Sequence, residues 1–226
     1  MKTVLIITDS LGLPRVKPER IADDECWVYR LQDLFNQRLK FRTICTPGMD
    51  TRQLLVASRD YHQAINPDLV ILQVGIVDCY PRALKRGEVS LIKRLPKTLN
   101  MMLHKLVKRH YGYLIKRRKI QYVGATEFRN NLLEVRKIFP GSQFRIVPIA
   151  PPCSDYRAKN PLIEIAVNNY NKIFMDLFGS EVLADCYADS GDRIFMSDNH
   201  HLNTTGHDQV FNVLSQVLYE FSGSKA

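Results

Sequence analysis

The 226-residue chain lacks any long apolar run. The first apolar stretch, within residues 1–7, ends at Thr8-Asp9 after about four residues, and no later stretch is much longer. An export signal needs an apolar region of roughly 7–15 residues, and a membrane-spanning helix needs about 20. We therefore expect a soluble protein of the cytoplasm, with at most a peripheral contact to a membrane.

Closely spaced cysteines are absent as well. The five cysteines are scattered and include no Cys-x-x-Cys pair: Cys26, Cys45, Cys79, Cys153 and Cys186. An odd number of dispersed cysteines indicates reduced thiols, and a zinc site would require ligands grouped at short spacing. The sequence therefore predicts neither disulfides nor a metal, and nothing in it indicates a cofactor.

Two kinds of apolar segment alternate along the chain. Runs rich in β-branched residues predict buried parallel strands at residues 3–7, 41–45, 68–74, 144–149 and 182–186. Between them, apolar residues such as Trp27, Leu132 and Ile173 recur at helical spacing. This alternation predicts a single α/β domain over residues 1–226. We expect three α/β/α layers, with a flavodoxin-like, doubly wound sheet of about five parallel strands.

Acidic residues are almost missing from residues 85–119, which we call the basic arm. The arm contains twelve Lys or Arg and one acid, Glu88, so it carries +11 in a chain whose net charge is +9. It lies within a longer insertion, residues 82–126, that follows the third predicted strand. Apolar residues recur at helical spacing between the cations, which predicts one or two basic amphipathic helices.

The arm allows more than one interpretation. It could form a helical cap over the active site, with its apolar face packed on the domain. Such a cap could also contact an anionic membrane surface or an acidic polymer. No nucleic-acid recognition module accompanies the charge, so we expect no nucleic-acid partner.

Polar residues and glycines follow the first three predicted strands, at the edge where open parallel sheets bind ligands. They are Asp9 and Ser10 after the first strand, Gly48 after the second, and Gly75 and Asp78 after the third. A serine at such a position can act as a nucleophile, with nearby backbone N–H groups facing a developing oxyanion. The same Asp-Ser pair is also typical of a turn or a helix N-cap.

A carboxylate and an imidazole lie three residues apart near the C-terminus, at Asp198 and His201, just before a predicted helix. An Asp can hold one imidazole nitrogen while the other accepts the proton of a serine. The alternative is that Asp198 caps a turn and His201 belongs to a surface loop.

These segments resemble the sequence blocks of the SGNH (GDSL) hydrolases. Thr8-Asp9-Ser10-Leu11 resembles the Gly-Asp-Ser-Leu block, and Asp198-x-x-His201-Leu202-Asn203-x-x-Gly206-His207 resembles the last block. Gly48 matches the glycine of the second block, and Gly75-x-x-Asp78 matches the third in part. The resemblance covers residue 3 to about 218 apart from the insertion. It implies a triad of Ser10, His201 and Asp198, with an oxyanion hole built from the N–H groups of Ser10 and Gly48.

One position departs from that pattern. Val77 stands where the family has an asparagine whose amide donates to the oxyanion, and a valine cannot donate. Loss of one such donor typically costs about 10²- to 10³-fold in rate. The hole could work with two N–H groups, Arg82 or Asn130 could replace the amide, or the chain could bind without hydrolysing. Because the three triad residues remain, we expect an active enzyme.

Other polar residues near the predicted strand ends are expected to support the site or to bind substrate. They are Asp9, Gly75, Asp78 and Arg82, and we expect Asp78, Arg82 and Glu127 to form a buried ion pair. Cys79 is a second potential nucleophile, but a small buried thiol is its more ordinary role. His200 and His207 are expected to be structural or solvent-facing.

The resemblance therefore predicts a serine esterase that acts, through a covalent acyl-enzyme, on an acyl ester of a glycan or lipid-like substrate. Two alternatives remain open. One is an O-acyltransferase in cell-surface glycan biosynthesis. The other is a non-hydrolytic binding protein for an anionic glycan or membrane surface.

Overall fold

The computed structural model describes residues 1–188 and 191–223. Within them lies a sheet of four parallel strands in the order β2-β1-β3-β4. The strands are β1 (Lys2–Thr8), β2 (Leu39–Cys45), β3 (Leu69–Gln73) and β4 (Gln143–Ile146). From β1 the chain moves outward to β2 and then returns past β1 to β3. The carboxyl ends of β1 and β3 therefore flank the point where ligands bind in such sheets.

The helices follow the periodicity of the sequence. They are α1 (Trp27–Phe35), α2 (Thr51–Asp60), α3 (Ile76–Cys79), α4 (Arg86–Lys93), α5 (Lys97–Arg109), α6 (Tyr111–Arg118), α7 (Ala125–Ile138), α8 (Ser154–Lys159), α9 (Ile163–Phe178) and α10 (Thr204–Ser222). Short side chains fix where two of them begin. Asp50 and Gln53 form a capping box at α2, and the Asn203 side chain accepts from the Gly206 N–H at α10.

The sheet is covered on both faces. The middle of β1, residues 4–7, is fully buried, and so are residues 69–72 of β3, as expected for strands with helices above and below. Helix α1 contacts α10, while α7 contacts α2 and α9. The predicted three-layer α/β/α fold is confirmed.

The fifth predicted strand, residues 182–186, is reduced to one bridge. Val182 pairs with Ile146 in parallel, and the Leu183 N–H donates to the Ile146 carbonyl over 2.9 Å. The backbone then turns into a 3-10 helix, Ala184–Tyr187. This turn buries Tyr187, whose hydroxyl accepts from the Gln73 amide at 3.1 Å. The chain thus buries the Tyr187 ring where continued pairing with β4 was expected.

The basic arm comprises α4, α5 and α6, where one or two helices were expected. Its base is tied to the core by an antiparallel bridge between Arg82 and Ile120 and by a salt bridge from Arg86 to buried Asp50 at 2.7 Å. Within the arm Arg118 pairs with Glu88 at 2.6 Å. No helix among residues 1–188 and 191–223 combines the length and apolar character needed to cross a bilayer.

Candidate active site

The loop after β1 presents Ser10 at the edge of the sheet. Asp9 is fully buried, and its Oδ1 accepts from the Leu11 N–H at 2.9 Å, which fixes the 3-10 turn Ser10–Gly12. Burial raises the pKa of Asp9 to about 7, against the opposing effects of that bond and of the nearby Arg15 cation. Asp9 therefore has a structural task, which is to hold the turn that carries Ser10.

Asp198 and His201 lie in a tight turn closed by an antiparallel bridge between Phe195 and Leu202. The Asp198 Oδ1 accepts the backbone N–H groups of His200 and His201 at 2.9 and 3.0 Å. Its Oδ2 lies 2.7 Å from the His201 Nδ1. One carboxylate thus caps the turn and orients the imidazole, so the two sequence interpretations of Asp198 apply together.

The other ring nitrogen of His201, Nε2, lies 3.2 Å from the Ser10 Oγ. Burial lowers the pKa of His201, although its hydrogen bond to the Asp198 carboxylate opposes this shift. Burial would raise the pKa of Asp198, but hydrogen bonds from the His201 ring and from two backbone N–H groups hold it below its usual value. Near neutral pH the arrangement is a neutral imidazole between a carboxylate and a hydroxyl, as general-base chemistry requires.

Gly48 lies in a turn after β2 in which the Met49 N–H donates to the Thr46 carbonyl at 3.2 Å. Its φ of +69° follows Pro47, the pattern of a type II turn, and this conformation favours glycine. Neither Ser10 nor Gly48 has a backbone acceptor for its N–H within the described residues. Both N–H groups are therefore available for an oxyanion. Gly75 also has a positive φ, +113°, and a side chain there would meet Ile149 at 2.9 Å.

Val77 is buried on α3, directly beyond the carboxyl end of β3. It offers no side-chain donor. Of the suggested replacements, Asn130 is exposed on α7. The Arg82 guanidinium lies over two rings, 3.9 Å from the centroid of Tyr122 and 4.8 Å from that of Tyr80.

The expected ion pair of Asp78, Arg82 and Glu127 is not present. Asp78 accepts from the Thr51 N–H at 2.9 Å and from its hydroxyl at 2.6 Å, while Glu127 pairs with Arg52. The reason is that α2 packs against α7, which places Arg52 of α2 beside Glu127 of α7. Burial raises the pKa of Asp78 to about 7, and its Oδ2 has no partner among the described groups. Asp78 therefore holds the start of α2.

The remaining thiol and imidazole candidates have structural surroundings. Cys79 is fully buried, and burial raises the pKa of its thiol. His207 is buried, and its Nδ1 lies 3.5 Å from the Trp27 N–H, so it joins α10 to α1.

Two residues near the triad were not singled out for this role from the sequence. Arg15 donates to the Ser10 carbonyl at 2.6 Å, and the His200 ring contacts that of His201 at 4.8 Å between centroids. The His200 Nδ1 lies 3.2 Å from the Tyr156 hydroxyl, and burial lowers the pKa of His200 to about 4. The adjacency of His200 to His201 was the one sequence signal, because Tyr156 comes from a distant segment.

A small apolar pocket adjoins the triad. Its lining belongs entirely to the α/β core: Leu11, Ile76, Ile149, Ala150, Pro152, Tyr156, Val167, Phe195 and His200. It has room for about 10 Å³, comparable to one water-sized group.

The fold is shared with solved esterases and lipases. A lipase/acylhydrolase from Enterococcus faecalis aligns with a TM-score of 0.65 at 13% identity, over 99% of this chain and 96% of that one. The psychrotrophic esterase EstA from Pseudoalteromonas sp. gives 0.59 at 12% identity, over 99% and 100%. Axe2, an acetylxylan esterase from Geobacillus stearothermophilus, gives 0.59 at 14% identity, over 99% and 95%.

These likenesses extend over nearly the whole of each chain, and at such low identity they show the fold alone. No protein-family model matches the sequence, and a search of curated proteins finds no match.

Proposed function

We propose that this chain is a serine-dependent carboxylic ester hydrolase, with Ser10 as nucleophile, His201 as general base and acid, and Asp198 as the group that orients His201. The observation that supports this most is the continuous contact from Asp198 through His201 to Ser10, at 2.7 and 3.2 Å. It lies at the sheet edge where this fold binds ligands. The esterases and lipases that share the fold agree with it.

The reaction proceeds in two halves. The Ser10 Oγ attacks the acyl carbonyl carbon as its proton passes to the His201 Nε2, and the oxyanion faces the N–H groups of Ser10 and Gly48. Collapse breaks the ester C–O bond, and the departing alcohol takes the proton from His201. A water then attacks the acyl carbon as His201 accepts one of its protons. Collapse of this second intermediate breaks the bond to the Ser10 Oγ, which takes the proton back from His201 as the acid leaves.

The substrate we favour is a short acyl ester of a glycan or lipid-like alcohol. The small apolar pocket is lined by Leu11 and His200, the chain neighbours of Ser10 and His201, and its space of about 10 Å³ favours the shortest acyl chains over long ones. The Arg15 guanidinium beside Ser10 favours an alcohol that carries negative charge. Val77 leaves the oxyanion with two backbone donors, so we expect slow turnover.

A fluorophosphonate probe tests the nucleophile. We expect covalent labelling of the folded chain that is lost in Ser10→Ala and strongly reduced in His201→Ala. Ser58→Ala is the matched control, because Ser58 also contacts a histidine, His62 at 3.2 Å, but is fully buried. Labelling that survives Ser10→Ala would refute the assignment.

A series of p-nitrophenyl esters tests the acyl site. We expect kcat/KM to be highest for the acetate ester and to fall steeply toward the decanoate ester. A preference for long chains would contradict the small acyl pocket while leaving the nucleophile untouched. Labelled protein that hydrolyses none of these esters, but transfers acetyl to an added sugar acceptor, would identify a transferase instead.

A further inference from the structure

Helix α5 presents an apolar stripe that no described part of the chain covers. Leu99, Met102 and Leu106 follow one another at helical spacing and are 45%, 60% and 53% exposed. The flanking helices show the same feature, with Leu91 of α4 at 64% and Tyr113 of α6 at 63%. Within the arm, all of which is described, Ile115 is the one buried residue. The interpretation of the arm as a cap whose apolar face packs on the core does not hold for these side chains.

Most cations of the arm also lack a carboxylate partner in the described part of the chain. Of its twelve cations, only Arg86 and Arg118 have a carboxylate within salt-bridge distance in the described part of the chain. Lys105 and Lys108 are exposed on α5, the same helix that carries the apolar stripe. A surface with both an exposed apolar stripe and unpaired cations requires a partner that is apolar and anionic at once.

Three occupants can be compared by this criterion. A second copy of the chain would bring two arms of +11 together, and like charges oppose that contact. An acidic polymer would satisfy the cations and leave the apolar stripe in water. A bilayer with anionic phospholipids satisfies both, because the cations meet the lipid phosphates and the apolar side chains enter the boundary below them.

We propose that the basic arm is a docking surface for an anionic phospholipid membrane, with α5 lying in the plane of the interface. At 1.5 Å per residue its 13 residues span about 20 Å, enough for several lipid headgroups. Leu99, Met102 and Leu106 insert, and the exposed lysines contact phosphates. This proposal concerns binding alone and holds whatever reaction the triad performs.

Vesicle flotation with the full chain tests the proposal. We expect binding to phosphatidylcholine vesicles with 30 mol% phosphatidylglycerol, little binding to phosphatidylcholine alone, and release in high salt. Replacing Leu99, Met102 and Leu106 by Gln, which keeps helix propensity, should weaken binding about tenfold or more. Lys105→Gln with Arg109→Gln, a change of the two exposed cations beside the apolar stripe of α5, should weaken it on the order of 25-fold, about fivefold per charge.

Matched controls lie outside the arm. Val56, Ile165 and Met175 are 59%, 60% and 49% exposed on α2 and α9, and their change to Gln should leave vesicle binding unaltered. Lys40→Gln with Lys159→Gln removes two exposed charges outside the arm, and this variant should also bind vesicles like the wild type. Circular dichroism verifies that each variant is folded, and the charge pair keeps the test valid if the apolar triple variant unfolds.

Three results would overturn the proposal. Equal binding to neutral vesicles would show that the cations of the arm do not contribute to membrane binding, which contradicts docking to an anionic membrane. Unchanged vesicle binding by the folded apolar triple variant, with equally strong binding to soluble hyaluronan, would assign the arm to an acidic polymer. Concentration-dependent dimers that dissociate in the triple variant, without vesicle binding, would assign it to a second copy of the chain.

Discussion

In the triad cleft, polar side chains are bonded to other groups of the chain, whereas in the basic arm most of them face solvent. Asp198 accepts three hydrogen bonds within its turn, and the buried Asp78 accepts two from Thr51. In the arm, ten cations have no carboxylate within salt-bridge distance in the described part of the chain, and large apolar side chains are exposed. Hydrogen bonds within the chain give the cleft the fixed geometry that catalysis needs. Where such partners are missing, as in the arm, the polar and apolar side chains are free to bind another molecule.

The largest expected effect concerns the orientation of His201. Asp198→Asn keeps the shape of the side chain but gives the imidazole the wrong tautomer, so kcat toward p-nitrophenyl acetate should fall by about 10³- to 10⁴-fold. Asp192→Asn is the matched control, since that exposed carboxylate accepts from the Ser154 N–H at 2.9 Å in the same region of the chain. A loss below tenfold in Asp198→Asn would mean that another group orients His201.

The second prediction compares how much a leucine of the core and a leucine of the arm contribute to the free energy of unfolding. Leu132 is fully buried on α7 and Leu106 is 53% exposed on α5. Leu132→Ala should lower the free energy of unfolding by about 2–5 kcal/mol, because it opens a cavity. Leu106→Ala should change it by less than about 0.5 kcal/mol. Comparable losses in urea denaturation would show that the arm's apolar side chains stabilise the fold after all.

The sequence predicts those parts of the molecule whose signals are local. Residues 3–7 and 68–74 form strands because continuous β-branched runs suit burial on both faces, and the strand ends then bring Ser10 and Gly75 to one edge. The turn from Asp198 to His201 is also local, since three residues separate the two side chains. The strands follow from periodicity alone, whereas the choice of Ser10, Asp198 and His201 as a set rests on the resemblance of their segments to known sequence blocks.

Features that depend on which helices meet could not be predicted in this way. Glu127 pairs with Arg52 instead of Arg82 because α7 packs on α2, and the sequence contains no mark of that contact. His200 meets Tyr156 for the same reason, across 44 residues of chain. The fifth strand shortened to one bridge because Tyr187 is buried beneath the strand ends, a tertiary preference that outweighs strand propensity.

The third prediction concerns the change in stability between pH 5 and pH 8, to which the buried carboxyls of the cleft should contribute and the arm should not. Burial raises the pKa of Asp9 and Asp78 to about 7, whereas carboxyls of the unfolded chain titrate near 4. The folded state therefore holds these protons more tightly, so their contribution is full below about pH 4 and is lost as the pH rises through about 7.

Melting temperatures at pH 5 and pH 8 measure this effect. Burial also lowers the pKa of His200 and His207 to about 4, and their contribution to stability grows over the same interval, so the test compares variants. From pH 5 to pH 8 we expect the melting temperature of Asp78→Asn, which has no proton to lose, to rise relative to that of the wild type. Asp60→Asn, at an exposed position on α2, should keep the wild-type slope. An identical slope in Asp78→Asn would show that Asp78 is already ionised at pH 5.

The fourth prediction tests the oxyanion hole. Val77 lies at the end of β3 beside the strand that carries Ser10, and Val77→Asn would add an amide donor there. We expect kcat toward p-nitrophenyl acetate to rise about tenfold, a fraction of what a well-placed donor provides elsewhere. Val77→Ala, which adds no donor, should show no rise. If the folded Asn variant is no faster than wild type, the hole is built from other groups.

The smallest expected effect concerns a contact between two tyrosine hydroxyls at the base of the arm. Tyr111, the first residue of α6, lies 2.6 Å from Tyr80 between hydroxyl oxygens, and the Tyr80 ring stacks on Tyr156, which contacts His200. Tyr111→Phe should cost about 1 kcal/mol of unfolding free energy and leave kcat unchanged, because the arm and the triad have separate tasks. Tyr113→Phe, on the exposed side of α6, is the control. A fall in kcat confined to Tyr111→Phe would instead make the arm a positioning element for His200. In that case membrane vesicles, if they bind the arm, should alter turnover on a soluble ester, and they should not do so in Tyr111→Phe.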